Sequence, residues 1–322
     1  MSYRVQDHII DVSDWEIDQN FGIFPAGARA KDAVIAPLEH GSKILTGGCR
    51  YLLKRSQQRY PDQFWGEIVA YRVGAMLGFD TPPTYVGLHR PSGVVGALVE
   101  WFYDDTTEHF VPAGDLLQVV NPDFDRKLGK AHNLTDISML MKALARTRLK
   151  GFDWHTWWLN TLAFDALIGN TDRHQENWGL IYSPNFETLR LAPLFDNGTS
   201  LGQDRFPHIV QDWSQDELDR YILNGRSHVT WERGDDRVCL FSLLRTALKT
   251  WQASADIADL RARLEVPPAR LSACLRDLLN LAPPVPYRHL QQDRVAWIER
   301  NLLRRFETVS YTHLTLPTIY SV

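Results

Sequence analysis

Three residues in one stretch, DALIGNTDRHQENWGLIYSPNFETLRLAPLFDNGTSLG at 165–202, have the types and order that phosphoryl transfer uses. Asp172 and Asn177 stand in the spacing Asp-x-x-x-x-Asn, on a segment expected to be a loop between the end of a helix and the start of a hairpin. Asp196 follows at the end of that hairpin's second strand. A carboxylate accepts the proton of an attacking hydroxyl, while an amide oxygen and a second carboxylate hold the magnesium ions that neutralise phosphate charge. On that reading Asp172 is the base, and Asn177 and Asp196 are metal ligands. Each piece alone has a plainer reading, NTDRH as a polar loop and Asp196-Asn197-Gly198 as a turn. Their order and spacing together favour the chemistry.

In protein kinases the catalytic-loop Asp and Asn have the same interval, and the chemistry also needs a strand lysine at the phosphates with a helix glutamate to hold it. Lys54 closes the apolar run RYLLK, and Glu67 lies on the helix that follows, opposite or flanking its apolar stripe. By themselves a strand lysine is usually a solvated edge charge and a helix glutamate usually surface; the downstream trio raises both. FPAGARAK at 24–31 offers a small-residue turn, Ala26-Gly27-Ala28, followed by Arg29, Ala30 and Lys31. Small side chains let backbone N–H groups approach phosphate oxygens, and nearby cations add complementary charge. The turn is neither a Walker A loop nor a GxGxxG loop. LVEWF, with Glu100, Trp101 and Phe102, falls where a two-lobed kinase has its adenine-pairing hinge, and equally where a core strand would end.

Elements able to position these residues can be read from the pattern. Residues up to about 105 are strand-rich with one helix, and those after about 133 are mostly helical, which puts a boundary inside 104–133. KILTGGCRYLLK ends as a strand. YPDQFWGEIVAYRVGAMLGFDTPP predicts an amphipathic helix with its apolar stripe at Phe64, Ile68, Val69, Val73, Met76 and Leu77, capped by Gly78 and stopped by Pro82 and Pro83. TYVGLHR and GVVGALVEWF flank Pro91-Ser92-Gly93 as a hairpin. Beyond the boundary, LTDISMLMKALARTRL with Thr135 as N-cap and DWHTWWLNTLAFDALIGN are helices, and WGLIYS and LRLAPLF form a short hairpin. Trp154, Trp157 and Trp158 are expected in a helix core. Ser214 and Glu217 have capping-box spacing, and further helices run through LFSLLRTALKTW, PARLSACLRDLL and RVAWIERNLLRRF.

Composition narrows the setting. With 44% hydrophobic and 23% charged residues in 322, the chain is globular rather than disordered or fibrous. No apolar run is long enough to span a bilayer, so no membrane partner is expected. A net charge of -4 argues against a nucleic-acid surface over the whole chain. Three widely spaced cysteines, Cys49, Cys239 and Cys274, build neither a disulfide framework nor a zinc cluster, and MSYRVQDHII lacks the features of an export signal. The expected location is the cytoplasm.

Taken in order, GARAK at 27–31, Lys54, Glu67, EWF at 100–102, NTDRHQEN at 170–177 and PLFD at 193–196 resemble the HipA-like kinases over roughly residues 20–230. The resemblance implies an α+β, two-lobed protein-kinase-like fold, with a mainly antiparallel β small lobe over 1–105 and a helical catalytic lobe over 106–308. It implies a serine/threonine protein kinase that uses ATP and Mg2+ and acts on a protein substrate. Ala26 to Lys31, Lys54, Glu67, Glu100 to Phe102, His174, Phe195 and Asp196 would line the nucleotide, with Asp172 as base. It also implies a helix-turn-helix antitoxin as partner. Many longer members carry an autophosphorylated Ser just ahead of the Gly-Ala, where this chain has Phe24-Pro25, so self-inactivation through that loop is not expected. NTDRH with a later Asp-Asn-Gly also resembles the type II phosphoinositide kinases, but no basic amphipathic segment or Cys cluster accompanies it. A nucleotide-binding regulator without catalysis gains little support, because all the polar residues are present. VSYTHLTLPT at 309–318 resembles translated sequencing-adapter DNA, so 309–322 is expected to be a non-native tail.

Overall fold

A computed structural model describes residues 3–18, 31–147, 153–285 and 288–314. In chain order its elements are β1 Ile10–Asp11, β2 Glu16–Ile17, β3 Lys31–Ile35, β4 Arg50–Lys54, α1 Gln63–Leu77, β5 Thr84–His89, β6 Val94–Glu100, β7 His109–Pro112, α2 Ala113–Val120, α3 Leu134–Thr147, α4 Trp154–Ile168, β8 Gly179–Tyr182, β9 Leu189–Leu191, α5 Pro207–Val210, α6 Gln215–Asn224, α7 Leu240–Thr250, α8 Ile257–Leu264, α9 Pro268–Arg276 and α10 Gln292–Leu314. None of the described helices is long and apolar enough to cross a membrane. The chain forms two units that alternate along it, whereas the expected lobes divide it once. One comprises 1–102, 195–212 and 268–299; the other comprises 103–194, 213–267 and 300–322.

In the first unit six strands form one sheet in the order β1-β5-β6-β4-β3-β2, antiparallel except for the short β1–β5 pair. Valine, leucine and tyrosine are frequent in these strands, whose central members are buried on both faces, and one face packs Val34, Tyr51, Leu53, Tyr85 and Leu98 against Trp15 and Tyr71. The predicted hairpin is β5–β6, turned through Arg90–Ser92 with Gly93 in the left-handed region at φ 64°. Register sets Lys54, the last residue of β4, opposite Lys31 on one neighbour and Ala97 on the other. A Cβ at Gly96 would stand 2.3 Å from the Lys54 carbonyl oxygen, so β6 can lie this close to the end of β4 only with glycine there.

The helix predicted after β4 is α1, and it ends as expected at Gly78, whose φ is 77°. Its amphipathic reading fails, because nearly every residue from Gln63 to Leu77 is buried. Beside the sheet strands β5 and β6, α1 also meets α9, and the Gly198 carbonyl lies 3.4 Å from where a Gly66 Cβ would be. Glu67 therefore sits inside the unit rather than on a polar flank. Arg72 is buried too, paired with Asp277 and donating to the Cys274 carbonyl at 3.2 Å.

In the second unit β7, β8 and β9 form an antiparallel sheet with β8 central. The β8–β9 hairpin was legible, but β7 and α2 occupy the stretch read as a boundary, where a four-residue strand closed by Pro112 gives little periodicity. The last strand is also shorter than expected. It stops at Leu191, two residues before Pro193, so Asp196 lies beyond the strand and not at its end. Helix α3 is capped by Asn133, whose Oδ1 accepts from the Asp136 N–H at 2.8 Å; Thr135 instead donates to the Trp231 carbonyl. The Ser214–Glu217 capping box on α6 is formed on both arms. Trp154 and Trp158 are core residues of α4, and Trp157 is half-buried. Helix α10 runs through the junction expected at 309, with Val309 buried.

Gly96→Ala should lower the unfolding free energy by about 1–3 kcal/mol, the cost of overpacking, read as a drop in the urea midpoint. An unchanged midpoint would contradict the close approach of β6 to Lys54.

Candidate active site

In the first unit three charges meet. The Lys54 ammonium, buried at the end of β4, donates to Glu67 Oε1 at 3.1 Å and to Asp196 Oδ1 at 3.0 Å. Glu67 lies one turn into α1, and its other oxygen accepts the backbone N–H of Asn197 at 2.9 Å, so a single buried carboxylate ties a strand, a helix and the 196–197 segment together. Asp196 adopts φ 57°, a left-handed conformation that Asp tolerates better than most side chains, and its carboxylate is about one-third exposed. One cation thus faces two carboxylates. The arrangement suits a group whose remaining coordination is completed by a polyanion with its metal ion.

Beside it Phe102 stacks on Phe195 with ring centroids 4.9 Å apart, and Trp101 stacks on Phe102 at 5.8 Å. The Glu100 carboxylate is held by the Tyr51 hydroxyl at 2.8 Å and by Arg4 and Thr46 at 3.4 Å. Burial pushes the Tyr51 phenol up, which keeps it a donor. Glu100 is thereby anchored into the sheet, and the Trp101 N–H donates to the Arg50 carbonyl at 2.9 Å. Lys31 opens β3. Ala26, Gly27, Ala28, Arg29 and Ala30 lie outside the described residues.

In the second unit the loop after α4 carries Asp172, His174 and Asn177. Gly169, at φ 71°, ends the helix, and Asn170 turns the chain by accepting the Asp172 N–H at 3.0 Å. The Asp172 carbonyl then accepts from the His174 N–H at 2.8 Å and from Asn177 Nδ2 at 2.7 Å. Fixing the Asn177 amide nitrogen in this way turns its Oδ1 off that carbonyl, as an oxygen ligand requires. His174 Nδ1 accepts the Glu176 N–H at 3.1 Å, and its ring packs 5.9 Å from His228.

Beneath the loop lies a pair that sequence reasoning did not single out. Arg173 donates to both oxygens of Asp165, at 3.1 and 2.7 Å, and to the Asn177 carbonyl at 3.1 Å; both side chains are almost wholly buried. Burial pushes the Asp165 carboxyl up, and Arg173 and Asn170 pull it back. The signal was present as a lone acid in the apolar helix WHTWWLNTLAFDALI. The residues brought together are therefore Lys54, Glu67 and Asp196 in one unit, and Asp172, His174 and Asn177 in the other.

The oxygen donors that each unit offers suit magnesium rather than a softer metal. Asp196 and Asn177 are hard oxygen donors, and among the described residues no cluster of three or more His, Cys, Asp or Glu forms a metal cage. Magnesium keeps several waters and takes one or two protein oxygens beside phosphate.

The fold is that of a protein-kinase-like α+β protein, and the crystal structure of the Helicobacter pylori proinflammatory kinase CtkA has the same fold, with a TM-score of 0.72 at 17% identity over 96% of this chain and 100% of that one. A model of the HipA-like C-terminal domain matches residues 23–265, and the chain belongs to that family. In sequence it is 26% identical over 194 residues to the serine/threonine-protein kinase CtkA of Helicobacter pylori (strain J99 / ATCC 700824), covering 58% of this chain and 56% of that protein. It is 31% identical over 160 residues to the protein Y4dM of Sinorhizobium fredii, covering 47% and 37%. The match thus spans about half or less of these curated relatives. Shewanella oneidensis HipA, solved with HipB and operator DNA, aligns at a TM-score of 0.47 and 14% identity over 92% and 68%.

Arg173→Met would leave the Asp165 carboxylate buried without its cation, at a cost of about 3–5 kcal/mol near neutral pH. A carboxyl whose folded-state pKa lies above the unfolded value favours folding when protonated and loses that contribution as pH rises through the folded pKa. The deficit against wild type should therefore shrink as pH falls from about 8 to about 4. A deficit constant over this range, in urea titrations, would contradict the pairing.

Proposed function

We propose that this chain is a HipA-like serine/threonine protein kinase that moves the γ-phosphoryl group of ATP to a hydroxyl of a cytoplasmic protein. The observation that carries the reading is the Lys54 ammonium held between Glu67 at 3.1 Å and Asp196 at 3.0 Å, a lysine on a strand, a glutamate on the next helix and an aspartate after a hairpin. This set has one well-attested use, holding nucleotide phosphates for transfer.

Each residue's task follows from its surroundings. Lys54 supplies a fixed positive charge to phosphate oxygens, and Glu67 keeps that charge at the strand end. Ala26 to Lys31 offer backbone N–H groups and cations to the same phosphates. The Phe102–Phe195 stack gives an apolar face for a purine ring, and the backbone of Glu100 to Phe102 reads its edge. Asp196, in the first unit, and Asn177, in the second, would each offer an oxygen ligand to magnesium. Magnesium, when bound, neutralises the charge that accumulates on the phosphoryl oxygens. Asp172 orients the acceptor hydroxyl and takes its proton. Its backbone is locked to Asn170, His174 and Asn177, so that carboxylate needs little reorganisation. His174 stands at the base of this loop and helps fix its turn. By the family resemblance, a helix-turn-helix antitoxin is the regulatory partner.

Purified protein given labelled ATP and magnesium should label itself or a lysate protein. Asp172→Ala should reduce the label by about 10²–10⁴-fold with the protein still folded by circular dichroism. Equal labelling by that variant, or labelling of phosphoinositide vesicles in place of protein, would overturn the assignment.

A further inference from the structure

Behind the Asp172–Asn177 loop three polar atoms are buried with no hydrogen-bond partner: His132 Nδ1, His228 Nδ1 and Gln175 Oε1. His132 is 2% exposed and Gln175 4%. The three side chains lie together. The His132 and His228 rings lie 5.7 Å apart, and a Cβ at Gly129 would stand 2.2 Å from Gln175 Oε1 and 2.7 Å from His228 Cε1. Gly129 has φ 62°, and its missing side chain lets Gln175 Oε1 and the His228 ring approach its Cα closely.

The donor and acceptor roles are determined by the neighbours. Trp178 Nε1–H can only donate, and it points at His132 Nε2 at 3.0 Å with the two ring planes nearly parallel, so the proton of the His132 ring lies on Nδ1. Gln175 Nε2 donates to the Arg126 carbonyl at 2.5 Å, which turns Oε1 inward as an acceptor. A buried donor and a buried acceptor left unmade would each carry the full penalty of lost hydration. Buried waters typically join about three such groups. Burial pushes His132 well below the usual histidine value, and burial with the Arg237 and His174 charges pushes His228 to about 4, so both rings stay uncharged beside each other.

We propose that His132 Nδ1–H, His228 Nδ1 and Gln175 Oε1 cage one structural water, and that this cage is a positioning device for the loop that carries Asp172 and Asn177. Gln175 is the link, since its side chain faces the cage while its backbone carbonyl accepts the Gly114 N–H at 3.0 Å. The significance for catalysis rests on the kinase reading; the cage itself does not.

The test uses the full chain with ¹⁵N-labelled histidine. Long-range ¹H–¹⁵N spectra should show His132 as the Nδ1–H tautomer, with an Hδ1 signal that exchanges slowly and has a cross-relaxation peak to bound water. A Hδ1 coupled directly to His228 Nδ1, or the opposite tautomer, would overturn the proposal. Gln175→Met, folded by circular dichroism, should lower amide-exchange protection at Asn177 by about 10-fold, and should cut kcat by about 10–100-fold while the KM for ATP changes less than about twofold. Unchanged protection at Asn177 would also overturn it. Wild type that gives the histidine signature without any phosphoryl transfer would remove the kinase reading and leave the cage standing.

Discussion

A buried ammonium group must be paired, and in this protein that requirement falls on Lys54. Taking its charge out of water is tolerable only because two carboxylates reach it at about 3 Å. Meeting this condition constrains distant parts of the chain. Strand β4 must end at residue 54, α1 must present Glu67 inward from a helix buried on nearly every side, and the chain must return after β9 with Asp196 in a left-handed turn so that Asn197 can cap the second oxygen of Glu67. Even Gly96 is part of the arrangement, because a side chain there would strike the Lys54 carbonyl.

A second buried charge does similar work in the other unit. Arg173 bridges the last turns of α4, through Asp165, to the carbonyl of Asn177, and the loop that carries Asp172 is wound around it. In both units the carboxylate proposed to act, Asp196 in one and Asp172 in the other, is half-buried, whereas Lys54, Asn177 and the groups that hold them, Glu67, Asp165 and Arg173, are buried. Preorganisation by such supporting groups is what lets a partly exposed carboxylate keep one geometry.

The sequence was most legible where residue type and order were sufficient. Lys54, Glu67 and Asp196 were singled out by type and order and do meet in one ion cluster, and Asp172 and Asn177 do share one hydrogen-bonded loop; their part in phosphoryl transfer is the proposal. The β5–β6 hairpin, the Gly78 stop of α1 and the Ser214 capping box were legible for local reasons, since turn and cap residues act within a few positions. What could not be read is non-local. Periodicity suggested a polar flank for α1, and only the return of α9 and the 198–200 segment buries it. Asp165 and Arg173 looked like ordinary charges because their pairing depends on how a loop folds over a helix end. Asn133 was passed over for Thr135 as the α3 cap although Asn is the stronger capping type, because both are common caps and lie two residues apart.

On the proposed function Lys54 and Glu67 act as one unit on nucleotide phosphate. This is tested most directly by a double-mutant cycle of Lys54→Met and Glu67→Gln, read as the affinity for a non-hydrolysable ATP analogue in the presence of magnesium. If Glu67 works only through Lys54, the double variant should bind no worse than Lys54→Met alone, with a coupling energy of about 1 kcal/mol or more. Losses that simply add would contradict the account.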